Sequence, residues 1–176
     1  MIGGLEAPLF FVSPGQINAQ IPNELTQGNS YDVVVIANSA VTTPQPVRLN
    51  LRAPGVARFG DGHVIAQHSD FSLVSAQSPA KPGEYLVIYL GGLGPGSETV
   101  ASGTPSPASP LDAVPDVAVM VAGESAPVLF SGLTPGLVGL YQVNFQVPAD
   151  AASGDLMLVV TENGYVSNTS LLTVSQ

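Results

Sequence analysis

Polar and apolar residues alternate one for one along much of this chain, a period typical of β-strands with one buried face. Residues 142–147 alternate without interruption, which puts Val143 and Phe145 on one face and the amides on the other. Residues 16–21 follow the same rule. Runs rich in valine, leucine, isoleucine and tyrosine predict further strands at residues 31–36, 47–51, 84–90, 117–122, 156–161 and 170–174. The pattern therefore predicts an all-β protein.

Glycine and proline separate these runs. The 19 glycines and 16 prolines among 176 residues interrupt the chain too often for long helices. Asn163-Gly164 predicts a type I′ hairpin, because both residues tolerate a positive φ. Single helical turns are predicted at residues 22–25 and 148–151, and an extended surface loop at the proline-rich residues 97–115. Short strands with regular turns favour an immunoglobulin-like β-sandwich.

An internal repeat organises the sequence. The motif Q-x-N-x-Q-x-P occurs twice, and a glycine follows each proline by six residues. Similar segments precede both copies, since APLF resembles APVLF and a Pro-Gly pair follows each. Four identities in seven positions exceed chance when each residue type has a frequency of about one in twenty. We predict a duplicated unit, with motif residues Gln16, Asn18, Gln20, Pro22 and Gly28 in the first copy and Gln142, Asn144, Gln146, Pro148 and Gly154 in the second.

The two copies are not equally complete. A long segment with its own strand patterns precedes the second copy, whereas six residues precede the first. We therefore predict a partial sandwich over residues 1–53, which lacks its opening strands, and a complete one over residues 54–176. Half a sandwich leaves strand edges and an apolar face uncovered. A longer parent protein, packing onto the second copy, or strands donated by a neighbouring molecule in a swapped dimer or fibre would cover them.

Four runs of the sequence carry a family resemblance. They are APLFFVSPGQINAQIP, APGVARFGDGH, PAKPGEYLVIYLGGLGPG and APVLFSGLTPGLVGLYQVNFQVPADAASGD, and together they span most of the chain. In order and spacing they resemble the uncharacterised C-terminal domain family of large secreted acidobacterial proteins. The resemblance implies a domain that closes a long extracellular protein behind repeat or immunoglobulin-like modules, and it implies no catalytic residue. The family's opening strands, upstream of the APLFFVSPGQ run, are absent from this sequence.

Charge and cysteine content exclude several classes of function. The 13 acidic residues outnumber the four basic ones, so the net charge is −9. Binding to nucleic acid or to an anionic membrane needs clustered lysine and arginine, which this chain lacks. No apolar run approaches the roughly 20 residues that cross a bilayer as a helix, and the chain has no cysteine for disulfides, thiolate metal sites or nucleophilic catalysis. Residues 1–4 do not form a signal peptide, so an exported protein would carry its signal upstream.

The strongest candidate for metal chemistry is the run GDGHVIAQHSD. Its imidazoles and carboxylates could bind zinc or another divalent ion. The five-residue spacing of the histidines puts them on opposite faces of a regular strand, so we favour a polar loop and predict no cofactor. The weak candidate ligands are Asp61, His63, His68 and Asp70.

Two further motifs have structural interpretations. Many serines and two histidines leave a serine triad open, although no G-x-S-x-G elbow is present. The glycine-rich residues 91–96 predict the end of a strand, because no helix N-terminus follows to bind phosphate.

The amides of both motif copies could bind sugar hydroxyls, but we favour a role in tying a neighbouring loop to the strand. Tyr141 and Tyr165 are the possible aromatic platforms for a sugar.

These observations favour a non-enzymatic extracellular or cell-surface module, structural or adhesive, within a larger secreted bacterial protein. A rigid sandwich would present loops and edges to a protein partner, foremost the open edge at residues 31–36 and the loop at 97–115. The alternatives are a carbohydrate-binding module of a secreted hydrolase and a strand-exchanging subunit of an extracellular assembly. The expected partners are other proteins or a second copy of the chain, and polysaccharide is a further candidate. We expect no binding to nucleic acid and no insertion into a membrane.

Overall fold

Antiparallel strands account for all the regular secondary structure of the part of the chain that the structure describes. The computed structural model describes residues 1–109 and 111–176, and within them there is no helix. The prediction of an all-β protein is therefore confirmed. Among the same residues there is no helix with the length and hydropathy needed to cross a membrane. We call residues 1–53 the first segment and residues 54–176 the second segment.

The first segment consists of three strand pairs. The pairs are β1 (Leu9–Ser13) with β2 (Gln16–Ala19), β3 (Ser30–Val33) with β6 (Gln45–Arg48), and β4 (Ile36–Ala37) with β5 (Ala40–Val41). The strand expected at residues 31–36 is thus divided in two. At the division the chain passes from one pairing partner to the next, and the Val35 N–H donates to the Thr42 hydroxyl there.

The second segment is a sandwich of two antiparallel sheets. Its strands are β7 (Gly55–Val56), β8 (Ala66–Gln67), β9 (Tyr85–Gly91), β10 (Val117–Val121), β11 (Glu124–Ala126), β12 (Val128–Leu133), β13 (Tyr141–Gln146), β14 (Gly154–Glu162), β15 (Tyr165–Val166) and β16 (Ser170–Val174). One sheet has the order β11-β10-β14-β15 with β16 also paired to β14, and the other has the order β12-β13-β9-β7 with β8 also paired to β9.

The core lies between the two sheets of the second segment. Every other residue of the central strands points into it, as the alternating sequence predicts. The fully buried aliphatic and aromatic side chains of the central strands are Leu86, Ile88 and Leu90 on β9, Val143 and Phe145 on β13, Val119 and Val121 on β10, Leu158 and Val160 on β14, and Leu172 on β16. Burial of these side chains provides most of the driving force for folding of this segment.

The two motif copies share the same strand register. Phe11 faces Asn18 across β1 and β2, and Phe130 faces Asn144 across β12 and β13. In both hairpins the register shifts just before that pair. Equal register at equal motif positions shows that the repeated sequence folds into the same local structure twice.

The hydrogen bonds that end these hairpins are also repeated. The Gln20 N–H donates to the Pro8 carbonyl at 2.8 Å, and the Gln146 N–H donates to the Pro127 carbonyl at 2.8 Å. Each motif proline then begins a turn closed by a bond to its own carbonyl, at 3.2 Å in the first copy and 3.1 Å in the second. The predicted helical turns are therefore single turns that do not continue as helices.

The structural repeat extends back to the first residue. The opening run MIGGLEAP resembles MVAGESAP, which begins at Met120. Ile2 forms bridges to Leu5 and Val33. Its counterpart Val121, at the end of β10, pairs in the same way with one residue of β11 and one residue of β14. Residues 1–5 therefore occupy the place that the β10–β11 turn occupies in the second segment. Sequence comparison alone began the repeat at residue 7 and missed this part.

Two predictions about exposed backbone are confirmed only in part. The edge at residues 31–36 is covered along β3, which has β6 on one side and residues 1–3 on the other, with a bond from the Gly3 N–H to the Asp32 carbonyl. In the described chain β4 pairs with β5 alone, so the end of this edge stays open. The loop at 97–115 lies only partly at the surface in its described residues. Its end runs along β12, where the Val114 N–H donates to the Ser131 carbonyl at 2.8 Å and the Val114 side chain enters the core.

The two hairpin tips repeat as well. Asn163-Gly164 has positive φ at both residues, which confirms the predicted type I′ turn. Asn38-Ser39 has positive φ at both residues in the counterpart turn between β4 and β5. The first segment therefore holds counterparts of the end of β10 and of β11 to β16, and in the chain described no strand stands beside β2 where β9 stands beside β13.

Candidate functional site

The β1–β2 hairpin exposes a large share of the apolar side chains of the first segment. An exposed cluster of this kind is a feature of interaction surfaces, because isolated soluble domains rarely leave contiguous apolar patches in water. We call this surface the apolar hairpin. Its exposed apolar residues are Leu9, Phe10, Phe11, Val12 and Ile17.

Comparison of the two copies shows which of these side chains are out of place. Ile17 is 43% exposed, whereas its counterpart Val143 is 0% exposed. Ile21, just beyond β2, is 43% exposed, and its counterpart Val147 is 1% exposed. The same apolar pattern is therefore core in the second segment and surface in the first.

The difference in burial follows from the missing neighbour of β2. In the second segment β13 pairs with β12 on one side and with β9 on the other. In the described chain β2 pairs with β1 alone. The second edge of β2 therefore presents backbone N–H and C=O groups without a strand partner, and such an edge is a template for a further strand.

A cavity of about 650 Å³ opens beside this edge. Its walls come from the end of β2, from residues 48–53 and from residues 92–100 of the second segment. The first-segment apolar side chains in its wall include Ala19, Ile21 and Leu49. Their counterparts Phe145, Val147 and Val174 all belong to the core of the second segment. The cavity therefore lies where the second segment has its packed interior.

The motif amides bond within each strand and to neighbouring loops. Gln16 Nε2 donates to Asn18 Oδ1 at 2.6 Å, and Gln142 Nε2 donates to Asn144 Oδ1 at 3.1 Å. A further pair of contacts involves the last glutamine of each motif, since Gln20 Oε1 accepts the Gly103 N–H at 2.8 Å and Gln146 Nε2 donates to the Gly83 carbonyl at 2.9 Å. These amides are engaged with the protein itself.

The remaining motif residues lie at turns. Pro22 and Pro148 are both buried. Gly28 and Gly154 both have positive φ, at 84° and 126°, where the chain enters the next strand. A side chain at either glycine would strain the backbone.

Neither of the two tyrosines considered as a sugar platform presents an exposed ring at the cavity. The hydroxyl of Tyr141 donates to the Gly94 carbonyl at 2.7 Å, and burial raises the pKa of Tyr141 to about 12. Tyr165 is exposed at the tip of the β14–β15 hairpin, away from the cavity walls. Phe10 is the exposed aromatic ring that lines the cavity.

His63 lies between two carboxylates at the surface. Its Nδ1 is 3.1 Å from Asp61 Oδ1, and its Nε2 is 3.4 Å from Asp155 Oδ1. The hydrogen bond with Asp61 raises the pKa of His63 against a smaller opposing effect of burial, and Asp155 adds to the rise. Both carboxylates are held in place by further bonds, because Asp61 accepts the backbone N–H of His63 and Asp155 accepts the hydroxyl proton of Thr173 on β16.

His68 belongs to a different cluster, whose members are not linked by any pattern in the sequence. Its Nδ1 is 2.6 Å from Glu84 Oε1, and its Nε2 is 3.3 Å from the Ser78 hydroxyl. An acid, a histidine and a serine in this order resemble a catalytic triad. However, Nε2 is nearer to the Ser78 carbonyl, at 3.1 Å. A protonated ring that donates to both Glu84 and that carbonyl satisfies this geometry, and such a ring cannot act as a general base.

The stability of the second segment is expected to fall as the pH rises through the pKa of His68. Burial alone lowers the pKa of His68, but the bonds to Glu84 and to the Ser78 carbonyl raise it above the ordinary value of about 6.5. The stabilisation that protonated His68 gives to the folded state is therefore complete below about pH 6.5, and it is lost as the pH rises through the folded-state pKa. Urea midpoints of the wild type and His68→Gln should converge with increasing pH, and a constant difference would contradict the assignment.

The four weak candidates for metal ligation do not form one cluster, although His63 contacts Asp61. His63 bonds Asp61 and Asp155, His68 bonds Glu84, and Asp70 accepts the Ser72 N–H and hydroxyl. Over residues 1–109 and 111–176 no group of three or more histidine and acidic side chains is arranged to hold a metal ion. The two histidines instead form separate contacts within the second segment.

The described chain was compared with known proteins. No family model and no curated protein matches it. Among solved structures it is similar to SGBP-B of the mixed-linkage glucan utilization locus of Bacteroides ovatus, in complex with a mixed-linkage heptasaccharide. The alignment has 15% identity and a TM-score of 0.37, and it covers 99% of this chain and 36% of that chain. The chain thus spans about a third of the length of that protein.

Proposed function

We propose that this protein is a non-enzymatic interaction module of a larger secreted bacterial protein, acting outside the cell or at its surface. The observation that carries the proposal is the difference in burial between the two copies. Apolar side chains that form the core of the second segment lie exposed, or beside a cavity, at the same repeat positions of the first segment. A surface with core composition gains free energy when another apolar surface covers it.

The second segment serves this function as a scaffold. Its two sheets enclose a continuous core, and it holds the first segment through bonds across the junction. The Glu24 carboxylate accepts the Ser102 N–H at 3.0 Å and the Ser102 hydroxyl at 2.6 Å. The Asn23 side chain donates to the Val100 carbonyl at 2.8 Å. The apolar hairpin thereby belongs to a segment that is bonded to the second segment.

The extracellular setting is part of the proposal and is supported by sequence. Four ordered runs resemble the domain family of large secreted acidobacterial proteins, and the expected immunoglobulin-like character of the sandwich suits a module in such an array. The low content of charged residues, 10%, suits a domain that packs against neighbours in that array.

A carbohydrate-binding role is the second candidate. The observation that favours it is the combination of Phe10 with the amide residues Gln27 and Asn50 in the cavity wall. Amides bind sugar hydroxyls and an aromatic ring stacks on a sugar face. The protein-binding role is favoured because the first-segment apolar residues of the cavity match core positions of the repeat.

Site-specific photo-crosslinking tests the proposed interaction. A photoreactive phenylalanine derivative in place of Phe10 is expected to crosslink a protein in the culture medium of the source bacterium. The matched control carries the derivative in place of Leu129, which occupies the counterpart position and is 60% exposed, against 55% for Phe10. We expect several-fold more product from position 10, because Phe10 lines the cavity beside the free edge of β2 and Leu129 does not line that cavity.

The partner is then identified by mass spectrometry and its crosslink is reproduced with purified proteins. Equal yields from positions 10 and 129 would show non-specific contact and would overturn the proposed function. Absence of any crosslink from position 10 would overturn it as well.

A further inference from the structure

We propose that the first segment binds an extended polypeptide strand along the free edge of β2, antiparallel to it, with alternate aliphatic side chains directed into the adjoining cavity. This inference rests on the proposed function and specifies the partner as a β-strand. The second segment supplies the template, because it shows which strand covers the same repeat positions.

Backbone pairing provides the first part of the argument. In the second segment β9 is antiparallel to β13, with Leu86 opposite Phe145 and Ile88 opposite Val143. The counterparts of these β13 residues on β2 are Ala19 and Ile17, which pair with β1 on one side and have no strand on the other side in the described chain. A strand placed in the β9 position would continue the established sheet arrangement across the open edge.

Side-chain packing provides the second part. Leu86, Ile88 and Leu90 of β9 are fully buried, whereas the residues between them are less so. A strand with this alternation would direct its aliphatic side chains towards the cavity of about 650 Å³. The cavity wall includes Ala19 and Ile21, at positions that pack against the sandwich core in the other copy. The cavity therefore matches the aliphatic face of such a strand.

The other strand positions of the repeated unit that surround β2 are already occupied, and this restricts where a partner strand can bind. Residues 1–5 occupy the position of the β10–β11 turn, and β3 to β6 occupy the positions of β14 to β16. The place of β9 is the open one beside β2. The chain's own β9 is paired on both sides, with β13 and with β7 and β8, so an intact second copy cannot supply it.

A synthetic peptide provides the probe. It carries residues 84–92 of this chain, EYLVIYLGG, with a hydrophilic tail and a fluorescent label. The control peptide has the same tail and carries L86T, I88T and L90T, which keep strand propensity and remove the aliphatic face. Fluorescence anisotropy with the full chain measures binding, and hydrogen exchange of residues 16–19 reports whether the edge of β2 becomes paired.

We expect saturable binding of the first peptide, at least about tenfold weaker binding of the control peptide, and slower exchange at residues 16–19. Ile17→Asp should weaken peptide binding by about tenfold, because it places a carboxylate in the apolar interface. Asn18→Asp adds the same charge one residue along β2 and on its other face, so it should change binding by less than about twofold. Both side chains are exposed, so both variants are expected to fold.

Several results would overturn the inference. Equal affinity of the two peptides, or binding without protection of residues 16–19, would exclude pairing at β2. Absence of binding by a chain that light scattering shows to be monomeric would exclude it too. Self-association that the peptide does not displace would assign the surface to a second copy, and protection by a polysaccharide alone would assign it to carbohydrate. If the peptide fails while crosslinking from position 10 succeeds, the interaction module stands and only the strand partner is wrong.

Discussion

Replacement of Phe145 by alanine is expected to destabilise the second segment by about 3–5 kcal/mol, the usual cost of removing a fully buried phenylalanine ring. Phe145 lies on β13 between the two sheets, so the deletion leaves a cavity that the neighbouring strands fill only in part. Urea unfolding followed by far-UV circular dichroism measures the loss as a shift of the midpoint at constant slope.

Phe11→Ala is the matched control, because it removes the same atoms from the apolar hairpin. Phe11 is 50% exposed, so its replacement is expected to change the free energy of unfolding by less than about 1 kcal/mol. A loss from Phe11→Ala as large as that from Phe145→Ala would mean that the hairpin is packed in solution. That result would contradict the exposed surface on which the proposed function depends.

Replacement of Arg52 by methionine is expected to cost about 3–5 kcal/mol, because it leaves a buried carboxylate without its partner. The Arg52 guanidinium forms an ion pair with Glu162, whose side chain is completely buried at the end of β14. Burial raises the pKa of Glu162, and the positive charge of Arg52 opposes that rise. Without Arg52 the charged form of Glu162 has no compensation in the interior.

The pH dependence of the Arg52→Met variant tests this cause. A carboxyl whose folded-state pKa is raised contributes stability while it is protonated and loses that contribution as the pH rises through the folded-state pKa. The deficit of the variant relative to wild type should therefore be small near pH 4 and should grow towards pH 7. Urea unfolding at several pH values measures it.

The double variant Arg52→Met/Glu162→Met provides the control. It removes the buried charge together with its partner, and it should recover most of the stability that the single variant loses. A double variant as unstable as the single one would assign the loss to packing of the Arg52 side chain, and not to its charge.

Arg52 also lies at the junction of the two segments, next to a close backbone approach. The Ala53 N–H donates to the Gly92 carbonyl at 2.8 Å. Gly92 has a φ of 75°, and a Cβ there would collide with the Ala53 carbonyl. The glycine-rich residues 91–96 thus serve the crossing of two chain segments, which gives a structural reason for a run that superficially resembles a phosphate-binding loop.

Local pattern in the sequence determined where most long strands lie. The strict alternation at residues 142–147 was sufficient to predict β13, and Asn163-Gly164 was sufficient to predict the hairpin turn. Both predictions succeed because side-chain direction in a strand and φ preference at a turn depend on adjacent residues. The same local signal missed β1, where four consecutive apolar residues, LFFV, hide any alternation. The repeat motif, in contrast, was visible because identities in sequence do not require contacts to be known.

The tertiary structure alone decided which apolar residues are core and which charged groups meet. Ile17 and Val143 occupy equal positions in the repeat, and only the presence of β9 beside one of them buries it. His68 and Glu84 are 16 residues apart, and Arg52 and Glu162 are far apart along the chain, so no local pattern pairs them. Burial and ion pairing depend on non-local neighbours, and those neighbours follow from the order of strands in the sheets.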